Sequence, residues 1–456
     1  MKHLEKLNNA KPFLKVLLIG FIIILMQIPV AMLRGVIWER EGSRDSVVAD
    51  VTSKWGHHQE LMGPVMVVPY RVEVKPVYTE DEKKKGVVKE STYITREAMF
   101  LPETLNVVAD VKSDELYRGI YEVPVYNSKI KLSGQYKERK FAGWDIEEKD
   151  ILWHRATVNF FISDARALSS ATDLTWGKDK LKLEPGSNFG TGTGIHAKLT
   201  KEQAKLATRG FAMDLSLKGS EHLYVAPMGS QTNIHITSDW PHPSFQGNWL
   251  PVERKVSKTD APGFDAKWEV NLLGRNFPER WLGLRAHEES MSRSYMGVRF
   301  KVMVDEYSMA LRSVKYDVLF MVMVFMTLWM FEVLSGIRIH AVQYVMVGAA
   351  MCMFYLLELS LAEHIGFLWA YCIASSMVCG LVAGYCKTVL QTGGRASIVG
   401  GVLSLLYAYL YMLLVNQGYA LLAGSMGLFA VLAAVMYLTR NIDWSGESEA
   451  GPVTTV

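Results

Sequence analysis

From Val318 to Leu438 the chain carries few charged side chains, and its apolar residues come in runs of about 20. A hydrocarbon core about 30 Å thick takes roughly 20 helical residues to cross. Within lipid every backbone N–H and C=O must be bonded inside the segment, so such runs read as spanning helices. Five lie in this part, at Asp317–Leu334, Ala341–Leu361, Ile365–Cys386, Ser397–Val415 and Tyr419–Leu438. A sixth, Phe13–Leu33, stands near the start. Its apolar run is too long for a secretory signal, and no small-x-small cleavage site follows before Arg34, so it reads as an uncleaved signal anchor.

Short loops carry the orientation. Lys2, Lys6, Lys11 and Lys15 lie before or at the very start of the first run, and Arg338, Lys387, Arg395 and Arg440 fall in every second connection thereafter. The intervening loops, around Glu363–His364 and Asn416–Gly418, hold no Lys or Arg. The positive-inside rule then places both termini in the cytoplasm and the long segment 34–316 outside it. The expected organisation is a cytoplasmic start (1–12), a signal-anchor helix (13–33), a β-rich domain (34–316), a five-helix bundle (317–438) and a cytoplasmic tail (439–456).

Segment 34–316 holds most of the charge. With 49 Lys and Arg against 46 Asp and Glu in the chain, nothing favours nucleic acid as a partner. All four cysteines lie in the apolar part, so no disulfide staples the outer domain and packing alone must hold it. Its pattern is mainly strand-like: Pro64–Tyr70, Tyr93–Phe100, Thr157–Ile162, Gly210–Leu217, Thr232–Thr237, Phe264–Val270 and Arg299–Val304. Turns are expected at Gly134, Pro185–Gly186, Gly219–Ser220 and Pro262–Gly263, a solvated hairpin loop at Glu80–Lys85, and a short helix at Thr200–Ala207. The fold expectation is therefore six transmembrane helices plus a large, all-β, sandwich-like domain.

No catalytic, cofactor or metal signature emerges. The glycine run Gly190–Gly194 lacks a following Lys-Ser/Thr and reads as a loop. The segment around Ser425 lacks nucleophile-elbow spacing. His222, His235 and His242, with Asp239, match no compact ligand spacing and read as strand-surface or loop residues. Cys372, Cys379 and Cys386, seven apart, read as small packing residues at a helix seam, and Met321, Met323, Met326 and Met330 as apolar filler. Gly380 and Gly384 form a small-xxx-small pair, with Gly348, Gly400, Gly401, Gly424 and Gly427 as further close-approach positions. Glu332 and Glu358 are intramembrane ionisable groups, with Glu363 and His364 close by. Glu332 is placed near the inner end of its span and Glu358 near the outer end, which favours interfacial or interhelical roles over transport. No broken helix with paired Gly/Pro is evident either.

The stretch Ser238-Asp239-Trp240-Pro241-His242-Pro243-Ser244-Phe245-Gln246-Gly247 resembles the CreD family of bacterial inner-membrane proteins. So do Phe331-Glu332 through Gln343-Tyr344, Phe354–Leu357, Glu363–Phe367, and Leu438–Trp444 after the last span. The resemblance implies the inner membrane of a Gram-negative bacterium, a periplasmic place for 34–316, and a link to the CreBC regulon. It also implies roles in envelope integrity, colicin tolerance and β-lactam responses, and it transfers no catalytic residue. The expected partners are membrane lipids and an envelope protein, lipid or glycan. Trp240, followed by the rigid Pro241 and Pro243, suits a rigid corner or partner-binding edge, with Asp239, His242 and Phe245 beside it. Arg440 and Trp444 suit an interfacial anchor. The function expected is non-enzymatic envelope maintenance through binding by the tethered domain; the alternative is a transporter or lipid-handling channel built on the helices.

Overall fold

A computed structural model describes residues 2–74, 92–138, 140–187, 192–205, 208–257, 262–300, 306–335 and 337–440. The expected loop at Glu80–Lys85 lies outside these residues, as do Gly190, Thr191 and Trp444. The chain divides into a helical unit, Met1–Asp45 with Val304–Val456, and a β-rich unit, Ser46–Met303.

Helix α1 runs Lys2–Trp55, well beyond the expected end at Leu33. Falling hydropathy at Arg34 marks the limit of the apolar run, and the helix ignores it. No proline interrupts the later turns, Asp50 and Lys54 pair at i,i+4 (2.8 Å), and Lys54 complements the C-terminal dipole. The stop comes at Gly56, whose φ of +149° suits glycine. A Cβ there would lie 2.7 Å from that of Ala167 and 2.9 Å from the Lys218 carbonyl. α1 therefore contributes residues to both units.

The remaining long helices are α2 (Glu306–Lys315), α3 (Asp317–Ser335), α4 (Ala341–Ile365), α5 (Phe367–Val389), α6 (Gly393–Val415) and α7 (Ala420–Thr439). Among the described residues α1, α4, α5, α6 and α7 are each long and apolar enough to cross a membrane. The pair α2–α3 qualifies jointly, bent by 45° at its break, which brings the number to six if that pair is one span. The expected second span, Asp317–Leu334, coincides with α3, and the break lies just before it. The break needs neither Gly nor Pro, since it falls at Tyr316 within Lys315-Tyr316-Asp317.

The β-rich unit holds two nine-stranded sheets. Its strands are β1 (Gln59–Val74), β2 (Thr92–Phe100), β3 (Thr104–Arg118), β4 (Tyr121–Tyr136), β5 (Thr157–Ile162), β6 (Leu168–Ala171), β7 (Leu174–Trp176), β8 (Asp179–Leu181) and β9 (Leu183–Pro185). Then follow β10 (Ile195–Lys198), β11 (Arg209–Ser220), β12 (His222–Val225), β13 (Gln231–Ser238), β14 (Pro243–Gly247), β15 (Glu253–Ser257), β16 (Gly263–Asn271), β17 (Arg280–Leu282) and β18 (Met296–Phe300). The first sheet runs β14-β18-β12-β1-β5-β10-β9, with β2 on β1 and β17 on β2. The second runs β15-β16-β13-β3-β4-β11-β7-β8, with β6 on β11. Parallel pairs β1–β12 and β13–β3 sit inside otherwise antiparallel sheets.

One apolar core serves both sheets. Period-two alternation aims Leu105, Val107, Ala109 and Val111 of β3 inward, and likewise Phe211, Met213, Leu215 and Leu217 of β11. The sheets meet where Phe245 of β14 packs edge-on to Trp268 of β16, and Tyr126 of β4 against Phe300 of β18. β1 is buried on both faces from Leu61 to Val68, which explains its unbroken apolar run. Two expected turns are strand positions instead. Gly134 lies within β4, where a Cβ would strike the Thr104 carbonyl and the Phe211 ring, and Gly219 lies in β11 beneath the Tyr126 ring. Both glycines serve close cross-strand approach rather than reversal of the chain.

Candidate functional sites in the two units

The helical unit places its few ionisable side chains in contacts that join helices. Glu332 accepts from Lys15 of α1 (3.0 Å) and from the Tyr344 hydroxyl of α4 (3.4 Å), while Lys15 also donates to the Ile339 carbonyl. Glu363 accepts from Tyr307 of α2 (2.9 Å) and lies 3.7 Å from Arg40 of α1. His364 beside it is exposed. Glu358 is fully buried, takes a hydrogen bond from Ser313 of α2 (3.0 Å), and leaves its Oε1 without a hydrogen bond among the described residues.

Sequence reasoning missed Asp317, which it took for the end of a span. Because α2 precedes it, Asp317 lies at the break of a bent helix pair, fully buried. Gln27 of α1 donates to its Oδ2 (2.9 Å). The helical unit thus holds two buried carboxylates, one on the bent pair and one on α4. An aromatic cluster of Phe354, Tyr371 and Tyr407 packs on the same helix as Glu358, with Tyr371 donating to the Tyr407 carbonyl (2.6 Å).

The small residues divide. Gly348 is a true close approach, where a Cβ would meet Met26 and Phe325 at 3.1 Å, and Gly400 would meet Ala383 at 3.0 Å. Gly427 lies against Tyr409. Gly380, Gly384, Gly401 and Gly424 face open space, so the small-xxx-small pair joins no helices among the described residues. Cys386 is buried, whereas Cys372 and Cys379 line a cleft of about 300 Å³ between α5 and α6 with Ser375, Ser404 and Tyr411.

In the β-rich unit the Trp240 corner is spent on packing. Trp240 is half-buried, meets Phe300 edge-on, and donates through Nε1 to the His242 carbonyl (3.2 Å). Phe245 packs on Phe264 and Trp268. Pro243 opens the edge strand β14, and Asp239 accepts from the Ser113 backbone and hydroxyl at 2.8 Å each. Pro241 and His242 are partly buried in this corner.

The histidines named from sequence do not gather. His235 faces Asp265 at 3.0 Å on the second sheet, while His222 sits on β12 of the first. A different trio does assemble around His222. His58, Glu60 and His222 each offer a ligand atom, all within 4.8 Å of one another. Adjoining it is an open cleft of about 510 Å³, lined by His57, His58, Asp164, Arg166 and Gly192–Gly194. Burial acts to raise the Asp164 carboxyl, but hydrogen bonds from Arg166 and the His57 N–H outweigh it and hold the group below the usual carboxylate range. Arg275 is a second feature missed from sequence: a buried guanidinium, lowered to about 10 by desolvation, that donates to the Pro227 carbonyl (3.3 Å).

Several membrane-length helices joined to a large two-sheet unit define a multi-pass membrane protein with a β-rich domain. Residues 11–445 match the family model for Inner membrane protein CreD. Inner membrane protein CreD of Escherichia coli (strain K12) is 31% identical over 424 residues, covering 92% of this chain and 91% of that one. The chain belongs to the CreD family and is an inner-membrane protein.

Proposed function

We propose that the chain acts in envelope integrity and stress response, with its β-rich unit on the periplasmic side binding an envelope component. The charge bias of the short loops supports that orientation. One observation carries the binding reading: the open cleft beside β1, which combines an imidazole edge, the Asp164–Arg166 pair and a glycine-bearing loop. It replaces the Trp240 corner as the place of binding, because the aromatics of that corner are already engaged in the core. A photoreactive residue at His57 is expected to cross-link a protein, lipid or glycan in intact cells, and one at exposed Leu250 is not. Equal or absent cross-linking from both positions contradicts the reading.

A second reading, ion- or lipid-handling by the helices, rests on the bent α2–α3 pair with two buried carboxylates, Asp317 at its break and Glu358 on α4. Discontinuous helices are a recurring element of transport sites. Reconstituted vesicles in which wild type moves solute or lipid and Asp317→Asn does not are the expected signature. Vesicles with no movement in either case dispose of it.

A further inference from the structure

We propose that His58, Glu60 and His222 form a binding site for one divalent transition-metal ion of the zinc class. Strand register builds the site. The parallel pairing Gln59↔Leu223 sets residue 58 beside 222 and residue 60 beside 224. Side chains two apart on a strand share a face, so His58 and Glu60 point the same way, toward His222 and Tyr224.

The rings are held. His58 stacks on His222 with centroids 4.6 Å apart, His222 stacks on Tyr224 at 4.1 Å, and Tyr224 donates to Gln246 (2.9 Å). His222 Nε2 is buried yet makes no hydrogen bond among the described residues, and it lies 3.8 Å from Glu60 Oε1. Two ligands of a tetrahedral zinc ion, with bonds of 2.0–2.2 Å, lie about 3.3 Å apart. The Glu60–His222 pair needs a closure of about half an ångström, and His58, stacked with its plane 21° from that of His222, must turn to bring its lone pair to the same ion. Two imidazoles and one carboxylate select zinc, nickel or copper over the oxygen-seeking calcium and magnesium.

Three protein ligands leave a position open, and one of them, His58, also lines the cleft assigned above to an envelope component. The ion would tie the first residues of β1, just beyond α1, to β12. This inference stands whether or not the cleft takes such a component, because its test reads the ion alone.

Full-length protein in detergent, purified through a histidine-free tag and stripped with chelator, is titrated with Co²⁺ as a visible-band probe and then with Zn²⁺ by calorimetry. The expected result is one ion per chain, displacement of Co²⁺ by Zn²⁺, and a melting temperature raised by roughly 5 °C at saturating zinc. His222→Ala and Glu60→Gln are each expected to weaken uptake at least roughly tenfold, and His235→Ala to leave it unchanged. The variants' melting in chelator, compared with wild type, separates loss of the ion from loss of the fold. Absence of saturable uptake, or uptake unaltered in both His222→Ala and Glu60→Gln, overturns the proposal.

Discussion

The helical and β-rich units solve opposite problems with one chain. In the β-rich unit, water drives apolar side chains inward, and ion pairs such as Lys267–Glu253 and Lys198–Glu184 stay at the surface. In the helical unit apolar residues face outward, as do Leu405, Leu421 and Phe429, because lipid is as apolar as they are. Its distinctive interior features are polar contacts: Gln27–Asp317, Ser313–Glu358, Lys15–Glu332 and Tyr307–Glu363, each joining different helices. Where burial of apolar surface yields no gain, hydrogen bonds and close backbone contacts choose the helix neighbours.

The largest expected effect tests the aqueous half. Trp268, 1% exposed, fills the space between the sheets. Trp268→Ala should cost about 3–5 kcal/mol in denaturant or thermal unfolding, whereas Leu405→Ala on the outer face of α6 should cost under about 0.5 kcal/mol. Equal losses would erase the contrast.

Next in size is Asp164→Asn, which removes the charged acceptor of Arg166 and the His57 N–H, at about 1.5–3 kcal/mol near neutral pH. The folded carboxyl is depressed, so its contribution is present above the unfolded pKa of about 3.9 and fades as pH falls through the lower folded value. Melting curves of the two proteins should therefore converge below about pH 4. Parallel curves down to strong acid would deny the ionic role.

Ser313→Ala sharpens the membrane half, since it takes from Glu358 its hydrogen-bond donor. An interhelical hydrogen bond in lipid is worth about 0.6–2 kcal/mol, and the loss should appear in unfolding of the protein in detergent or bicelles. The smallest effect is a paired glycine test. Gly348→Ala should destabilise the protein by roughly 1 kcal/mol through its contacts with Met26 and Phe325, and Gly380→Ala, facing open space, should change stability by less than about 0.5 kcal/mol.

Much of this contrast was legible in the residues themselves. Long apolar runs gave the spanning helices, and alternation or short apolar runs located β1, β2, β5, β11, β13 and β16. Strands such as β3 and β4 were passed over because Lys112, Asp114, Lys129 and Lys131 break the apolar pattern, although they lie in long, fully paired ribbons. The end of α1 was illegible for a related reason: hydropathy reports the solvent around a helix rather than its length. Asp317 looked like the border of a span because α2 carries Glu306, Arg312 and Lys315. The His58–Glu60–His222 group spans more than 160 positions and exists only through the parallel β1–β12 pairing, which no local pattern announces.

The account rests on the two units meeting different solvents on defined sides of the membrane. A variant with its four native cysteines replaced and a single cysteine at Leu273, 94% exposed in the β-rich unit, tests it directly. In intact cells with a permeabilised outer membrane, an impermeant maleimide is expected to label this position in full. Labelling that appears only after the inner membrane is broken would contradict the account.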